Sequence, residues 1–275
     1  MFYKRALSAV MLVVIALAVI LTGGAVLAVV LYMLSLIAFF ELTKAIGVHE
    51  RDKNINALET AGVLGITIYY LAMFFAKTET AMCFALILTF MAIMFVYVFA
   101  FPKFKSGEVM GTFFCVVYAP ALLSFLYLTR NLKHGIYVVW LIFISSWICD
   151  TCAYLVGVMI GKHKMAPKLS PKKSIEGAIG GIVGSSLVGA LFGLYVERYV
   201  LTGEELVLVF AIIGAVGAMI SQVGDLAASA IKRNHDIKDY GKLIPGHGGV
   251  MDRFDSVLFA APMIYFLAYF LMNQL

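Results

Sequence analysis

Acidic side chains recur in the second half of this 275-residue chain, within or beside stretches that are otherwise apolar. Asp150 and Asp225 lie inside such stretches, and Asp252 and Asp255 lie where the last stretch begins. A charged side chain at membrane depth is costly, so each of these positions is a hypothesis for a functional site. Glu41 lies in an earlier apolar stretch, where a pairing or interfacial role is as good an interpretation as catalysis.

The segment 229–255 combines acids with basic residues and glycines. On a helix, Asp225, Ser229 and Lys232 would share one face, because residues at i, i+4 and i+7 lie above one another. The glycine pair at 248–249 would open the last helix, and the N–H groups of a helix N-terminus can bind an anion. This spacing predicts acids and anion-binding groups at the same end of neighbouring helices.

Carboxylates on neighbouring helices can converge on a hard cation such as Mg²⁺, which proteins hold through one or two carboxylates plus substrate phosphates. Basic residues that can bind phosphate oxygens are Lys232, Arg233, Lys238, Lys242 and Arg253. Taken singly, these residues have simpler interpretations: a basic residue beside a span reports topology, Asp252 suits a helix N-terminus, and His247 suits a turn. Taken together, they favour phosphoryl or nucleotidyl transfer to a lipid.

The elements that position these residues are predicted to be membrane-spanning helices. The chain is 63% hydrophobic and 13% charged, with a mean hydropathy of +0.97, whereas soluble domains are about half apolar and about a quarter charged. Its apolar stretches suit helices that cross roughly 30 Å of hydrocarbon rather than the alternating strands of a barrel. We therefore predict an all-α, polytopic integral membrane protein. The formal charge of +5 gives no indication of a nucleic-acid partner.

Nine transmembrane helices are predicted, the first being an uncleaved span rather than a signal peptide. Their ranges are 6–22, 25–46, 58–76, 80–101, 109–128, 136–160, 175–197, 205–231 and 250–272. We interpret residues 1–275 as a single membrane domain. Its N-terminal helices (1–135) would serve packing and dimer contacts, and residues 136–275 would supply the catalytic helices and cytoplasmic loops. Small residues in the seventh span predict a tightly packed helix interface, within the chain or between subunits.

Basic residues are unevenly divided between the two sides of the predicted topology. Seventeen of the 21 Lys and Arg residues lie on the side of the N-terminus, and the other four are Lys77, Arg130, Lys133 and Arg198. By the positive-inside rule, the side with the excess is cytoplasmic. The N-terminus and the segment 229–255 are then predicted to be cytoplasmic, and the C-terminus external.

The segment 229–255 resembles the motif of the phosphatidate cytidylyltransferase (CDP-diacylglycerol synthase) family. The matching residues are Ser229, Lys232-Arg233, Lys238-Asp239, Gly241, His247-Gly248-Gly249 and Asp252-Arg253-Phe254-Asp255. An earlier segment is similar to the same family through Asp150, Gly161-Lys162, Ser170-Pro171-Lys172-Lys173-Ser174 and Glu176-Gly177. The resemblance covers the whole chain, although the first five spans match only in hydrophobicity.

The resemblance implies an enzyme that joins CTP to phosphatidic acid with Mg²⁺, giving CDP-diacylglycerol and pyrophosphate. It implies metal binding by Asp225 and Asp252, with Asp255 and Asp150 as further candidates, and a monovalent cation such as K⁺ sharing the site. Residues expected to act in catalysis are Asp225, Asp252, Lys232, Arg233 and Arg253. Residues expected to bind substrate are Ser229, Lys238, Asp239, His247, Gly248, Gly249, Lys172 and Lys173.

The same resemblance implies a homodimer in contact with membrane lipids, placed in the inner (cytoplasmic) membrane. Two alternative functions remain open from the residues. One is a different CTP-dependent lipid enzyme, such as a polyprenol kinase or an archaeal-lipid cytidylyltransferase, because residues do not reveal the tail of the lipid. The other is an ion-coupled transporter, although its site is expected near the midplane between repeated halves, and here the charges gather at one face.

Overall fold

The structure, a computed structural model, describes residues 2–49, 54–201, 205–243 and 248–272. Its α-helices are α1 (Phe2–Thr22), α2 (Gly24–Ala45), α3 (Ala57–Leu71), α4 (Glu79–Phe99), α5 (Ser106–Val116), α6 (Leu122–Arg130), α7 (Gly135–Phe143), α8 (Cys149–Ile160), α9 (Ile175–Tyr199), α10 (Leu206–Asn234) and α11 (Met251–Met272). Three π-helical segments among the described residues extend or join them: Ala72–Ala76 after α3, Val117–Ala121 between α5 and α6, and Ile144–Ile148 between α7 and α8.

Eight helical stretches among the described residues are long and apolar enough to cross a membrane. They are Gly24–Ala45, Ala57–Ala76, Glu79–Phe99, Ser106–Arg130, Gly135–Ile160, Ile175–Tyr199, Leu206–Asn234 and Met251–Met272. Their ends lie within 3 residues of the predicted spans. The predicted first span coincides with α1, whose described apolar part is Val13–Thr22. The prediction of an all-α, polytopic membrane protein is therefore confirmed.

The chain divides into two compact units. Unit 1 comprises Met1–Tyr127 and Asn234–Arg253, and unit 2 comprises Leu128–Arg233 and Phe254–Leu275. Each unit thus combines an earlier part of the chain with a later one. The predicted division into residues 1–135 and 136–275 remains a prediction about roles, which these units do not address.

Unit 1 is held together by buried apolar side chains and by paired hydroxyl groups. Phe39 of α2 is fully buried against α3, where a Cβ atom at Gly62 would lie 2.5 Å from its ring. The hydroxyl groups of Ser35 and Tyr70 lie 2.6 Å apart. Because a hydroxyl group buried in an apolar environment needs a partner, such pairs fix the helices in one arrangement. The second helix is in this way packed tightly on the third.

Unit 2 is built on the small residues of α9. A Cβ atom at Gly177 would lie 2.6 Å from the carbonyl oxygen of Ala153 in α8, and one at Gly189 would lie 2.5 Å from that of Phe210 in α10. Only glycine permits so close an approach of backbones. The predicted tight interface of this span therefore lies within the chain, with α8 at one end of α9 and α10 at the other.

A β-hairpin precedes α9 and was not predicted. Strands β1 (Lys164–Ala166) and β2 (Ser170–Ser174) pair antiparallel, with Lys164 opposite Ser174 and Ala166 opposite Ser170. Ser174 then caps α9, because its hydroxyl oxygen accepts a hydrogen bond from the N–H of Gly177. The hairpin brings the lysines of β2 to the beginning of a membrane-spanning helix.

Candidate active site

Asp225 is the centre of a polar cluster in unit 2. It lies on α10 and is partly exposed. The ammonium group of Lys173, in strand β2, donates a hydrogen bond to its Oδ2 atom. The hydroxyl group of Ser229, one turn further along α10, donates to its Oδ1 atom over 3.4 Å. The predicted helical spacing of Asp225 and Ser229 is thus confirmed, and the lysine is brought in from the hairpin.

Two further carboxylates belong to this cluster. Asp150 of α8 and Asp255 of α11 are each close enough to Asp225 for the like charges to repel. Lys173 attracts Asp150, and Lys232 attracts Asp255. Three helices and the hairpin therefore bring three acidic side chains and two lysine side chains together.

Packing of α10 against its neighbours fixes the position of Asp225. The Gln222 amide donates to the carbonyl oxygen of Ala178 over 3.1 Å and to the Cys149 sulfur over 3.3 Å. One residue before Asp225, a Cβ atom at Gly224 would lie 2.8 Å from the carbonyl oxygen of Asp255. These contacts join α10 to α8, α9 and α11. Sequence reasoning missed Gln222, although an amide side chain inside an apolar helix was a visible signal.

The hairpin explains why the two adjacent lysines of β2 differ in their exposure to solvent. Successive side chains of a strand point to opposite faces, and here Lys173 is partly buried while Lys172 is exposed. The base of the hairpin is held by Glu176, whose carboxylate accepts hydrogen bonds from the N–H groups of Lys162 (3.1 Å) and His163 (3.2 Å). Of the two lysines, the structure brings only Lys173 to Asp225.

In unit 1, Asp252 organises the segment that precedes α11. Its Oδ2 atom accepts hydrogen bonds from the N–H groups of Tyr240 (2.8 Å) and Gly249 (3.0 Å), and its side chain is buried. Gly248 has a φ of +85°, which glycine adopts without strain. The position of Asp252 in the first turn of α11 is as predicted.

The N-terminus of α11 does attract an anion, but that anion is a side chain of the protein. Glu41 of α2 accepts hydrogen bonds from the N–H groups of Val250 (3.0 Å) and Met251 (2.9 Å). The N–H groups of Val250 and Met251 are therefore already bound by Glu41, whereas the predicted substrate-binding roles of Gly248 and Gly249 stay predictions. Because Glu41 pairs with backbone groups, the pairing interpretation of this residue is the one that the structure supports.

The other predicted substrate-binding and catalytic residues are distributed as follows. Arg233, Lys238, Asp239 and Arg253 are exposed, and Lys232 is partly exposed. His247 lies outside the described residues. Lys232 and Arg233 lie in the last turn of α10, whereas Lys238 and Asp239 lie in the segment between α10 and α11. The roles of all these residues remain predictions.

The cluster around Asp225 suits a hard cation in its chemistry. Within the described ranges, no group of three or more His, Cys, Asp or Glu side chains is arranged so that it could hold a metal ion. Mg²⁺ is commonly held by only one or two carboxylates plus substrate phosphates and water, so a full protein cage is not needed. The mutual repulsion of Asp150, Asp225 and Asp255 is what a bound cation would relieve. Asp225 and Asp252 belong to different units, and their joint role as metal ligands stays a prediction.

Comparison with known proteins gives a consistent result over almost the whole chain. The model of a family described as "cytidylyltransferase family" matches residues 3–271. A protein of Bacillus subtilis (strain 168), named phosphatidate cytidylyltransferase, is 30% identical over 276 residues, which is 96% of each chain. Proteins of the same name from Staphylococcus saprophyticus and Staphylococcus aureus (strain COL) are each 31% identical over 96% of this chain and 97% of their own.

Proposed function

Because this chain belongs to the cytidylyltransferase family, we propose that it is a phosphatidate cytidylyltransferase, which transfers CMP from CTP to phosphatidic acid. Relatives that carry this name match it over 96% of its length. The observation in the structure that supports the proposal best is the cluster of Asp150, Asp225, Asp255 and Lys173 in membrane-spanning helices and the adjoining hairpin. Such a cluster offers carboxylates for a cation and ammonium groups for phosphates.

The reaction needs positioning and charge stabilisation more than a base. A phosphomonoester carries about −1.5 to −2 charge near pH 7, so the phosphatidate oxygen is already nucleophilic. It attacks the α-phosphorus of CTP and forms a new P–O–P bond, while the bond from the α-phosphorus to the bridging oxygen breaks and pyrophosphate leaves. Lys173 and Lys232 stabilise the charge that develops on the phosphates. Arg233, Arg253 and Lys172 bind phosphate oxygens from more exposed positions.

We propose that Asp225 and Asp252, the two ligands that the family resemblance implies, hold Mg²⁺, with Asp255 and Asp150 as further candidates. A monovalent cation such as K⁺ shares the site. Bound Mg²⁺ supplies positive charge against the CTP phosphates. The chain's own contribution is to keep Asp150, Asp225 and Asp255 close together through the packing of α8, α10 and α11. Ser229 orients the Asp225 carboxylate by donating to its Oδ1 atom.

The assay that tests the proposal uses the purified full chain with labelled CTP and dioleoyl phosphatidic acid, with and without Mg²⁺. We expect labelled CDP-diacylglycerol and pyrophosphate in equal amounts, with formation dependent on Mg²⁺. A parallel arm supplies a polyprenol and an isoprenoid-tailed phosphatidate in place of the acyl lipid. Faster turnover of either one would replace the proposed substrate with that of another CTP-dependent lipid enzyme.

We also propose an orientation and an assembly. The excess of basic residues on one side places the N-terminus and the site on the cytoplasmic face of the inner membrane, with the C-terminus external. A cysteine at Lys168, in the turn of the hairpin, should react with an impermeant maleimide only from the cytoplasmic face. A tag at Leu275 should be reached only from outside. Labelling on the opposite sides would reverse the topology.

The assembly that the family resemblance implies is a homodimer within the lipid. Apolar side chains are exposed along α9, at Ile179, Val183, Leu187 and Leu191, and they suit burial by lipid or by a second copy. Native mass spectrometry in detergent should give twice the chain mass of 30.1 kDa. A strictly monomeric species at micromolar concentration would contradict the dimer.

A further inference from the structure

Glu41 lies far from the segment 229–255 in sequence, yet its carboxylate is bonded to the end of that segment. It is located near the C-terminal end of α2 and is only 9% exposed. Its Oε1 atom accepts the N–H of Val250 at 3.0 Å, and its Oε2 atom accepts the N–H of Met251 at 2.9 Å. Two oxygens of one carboxylate thus bind two successive backbone donors.

These donors are the ones that a helix leaves unsatisfied. The first N–H groups of a helix have no acceptor within it, and α11 begins at Met251. A carboxylate at this place is stabilised both by the hydrogen bonds and by the helix dipole. Burial of a charged group is costly unless it is paired, so the two bonds explain how Glu41 is tolerated inside the protein. The contact therefore fixes the beginning of α11 to α2.

Two glycines of the family-like segment leave the space that Glu41 occupies. A Cβ atom at Gly249 would have the three side-chain atoms Cδ, Oε1 and Oε2 of Glu41 as its nearest neighbours, with Cδ and Oε2 at 2.5 Å. A Cβ atom at Gly241 would also collide with this carboxyl group, with Cδ at 2.7 Å. Neither glycine has the positive φ that would by itself require glycine. Their lack of a side chain is explained by the approach of Glu41.

The residues that follow the contact are ones expected to act in the reaction. Asp252 and Arg253 come directly after Met251, in the first turn of α11. Asp252 in turn binds the N–H groups of Tyr240 and Gly249 through its own carboxylate. Glu41 and Asp252 together hold the backbone of residues 249–251, so that any displacement of one would move the other.

We propose that Glu41 is a positioning residue of the reaction, which holds the N-terminus of α11 and thereby the side chains of Asp252 and Arg253. This inference rests on the proposed function. Glu41 acts through the backbone of Val250 and Met251 and does not itself contact substrate. Its role is to keep reacting groups aligned, and misplacement by about 1 Å can reduce a rate by about a hundredfold.

The first test replaces Glu41 with Gln, which keeps the shape of the side chain but turns one acceptor oxygen into an NH₂ group that faces a backbone N–H. We expect kcat to fall roughly ten- to a hundredfold, with the KM for CTP much less affected. The matched control is Glu59→Gln, because Glu59 is also a buried carboxylate of unit 1 that accepts a backbone N–H at a helix N-terminus. The control should lower thermal stability without changing the kcat of the folded enzyme.

Hydrogen–deuterium exchange supplies a readout that does not depend on activity. In the full chain, Glu41→Gln should accelerate exchange in a peptide that covers Val250 and Met251, whereas Glu59→Gln should leave that peptide protected. If Glu41→Gln does not fold, Glu41→Asp serves instead, since it keeps the charge and is shorter by one methylene. It should fold and show the same two effects in weaker form.

A double-mutant cycle tests the explanation of the glycines. Gly249→Ala alone should strongly reduce kcat, because its Cβ collides with Glu41. In the presence of Glu41→Ala, the same substitution should cost much less, so that the two effects are far from additive. Additive effects would show that Gly249 is needed for a different reason.

The inference is overturned if Glu41→Gln keeps the kcat of the unsubstituted enzyme, or if exchange at Val250 and Met251 is unchanged. It is also overturned if Glu59→Gln loses as much kcat as Glu41→Gln, because the effect would then be one of general stability. Failure of the proposed function looks different: the unsubstituted protein would form no CDP-diacylglycerol at all.

Discussion

Asp225 of unit 2 and the carboxylates of Glu41 and Asp252 in unit 1 are bound by different kinds of partner. In unit 2, Asp225 binds the ammonium group of Lys173 and the hydroxyl group of Ser229, and it lies near Asp150 and Asp255. These partners are side chains, which can change rotamer and exchange one ion for another. The cluster is therefore able to receive a cation or a phosphate group.

In unit 1, Glu41 and Asp252 accept backbone N–H groups, and Glu59 accepts one backbone N–H group in addition to its side-chain partners. Glu41 accepts the N–H groups of Val250 and Met251, Asp252 accepts those of Tyr240 and Gly249, and Glu59 accepts that of Asn56. A backbone donor cannot turn away unless the chain moves. Such carboxylates hold segments in place, and an acid at membrane depth can thus be part of the reacting site or part of its support. Asp252 combines both roles in our proposal, since it binds backbone N–H groups and is also an implied metal ligand.

Asp225→Asn should have the largest effect, because it removes charge where a cation is expected. We expect kcat to fall by more than about a hundredfold, since metal-ion stabilisation of a transition state is worth several kcal/mol. Product formation by purified protein at saturating Mg²⁺ measures this. The matched control is Asp236→Asn, an exposed residue with a φ of +52° that asparagine also adopts readily. Retention of most activity by Asp225→Asn would place the reaction elsewhere.

Lys173→Ala should have the next largest effect. A charge-assisted hydrogen bond is worth about 1.5–3 kcal/mol, which corresponds to roughly ten- to 150-fold in rate. Lys172→Ala provides the comparison, because the side chain of Lys172 is exposed on the other face of β2. We expect kcat/KM for CTP to fall clearly further for Lys173→Ala than for Lys172→Ala. Equal losses of kcat/KM in the two variants would mean that the lysines of the hairpin act only through their positive charge. The contact of Lys173 with Asp225 would then have no specific role.

Arg253→Ala should reduce kcat/KM for CTP by at least about tenfold, within the same charge-assisted range. Arg253→Lys should recover only part of the loss, because lysine cannot reproduce the bidentate donor pair of a guanidinium group. Both variants are measured as correctly oriented protein at saturating phosphatidate. Kinetics like those of the unsubstituted enzyme would assign Arg253 to membrane topology alone.

Glu59→Gln should have the smallest effect on the reaction and act on stability instead. Glu59 is fully buried and also binds Thr43 and His49, at 3.0 and 2.9 Å. Loss of one acceptor should lower the free energy of unfolding by about 1–3 kcal/mol. Thermal unfolding in detergent measures the loss, and kcat per folded molecule should stay the same. A large fall in kcat would erase the distinction between the two groups of carboxylates.

The membrane helices were predictable because hydrophobicity is distributed along the chain and needs no knowledge of contacts. The face shared by Asp225 and Ser229 was predictable for a similar reason, since helical periodicity is local. The family-like segment likewise indicated Asp252 as the start of a helix. Local spacing and apolar length thus define the spans and their ends to within a few residues.

What the sequence left hidden depends on distant partners. Glu41 lies more than 200 residues from Val250 and Met251, and its partners are N–H groups, which every residue except proline carries. The hairpin was missed because β1 and β2 lie in a basic loop without the apolar alternation that indicates a strand. The difference between Lys172 and Lys173 arises from that hairpin, so it could not be predicted without it.

The π-helical segment Ile144–Ile148 determines how far α8, which follows it, is rotated about its own axis. A π turn contains one more residue than an α turn, and one residue corresponds to about 100° of rotation. Neighbouring helices secure this extra residue: Ser185 donates to the Ile144 carbonyl oxygen (3.2 Å) and Ser221 to that of Ser145 (2.9 Å). Removal of one residue here would turn the side chain of Asp150 about a quarter-turn or more away from α10. The extra residue of this π-helical segment carries no charge. It nevertheless determines whether the Asp150 side chain points toward the cluster around Asp225.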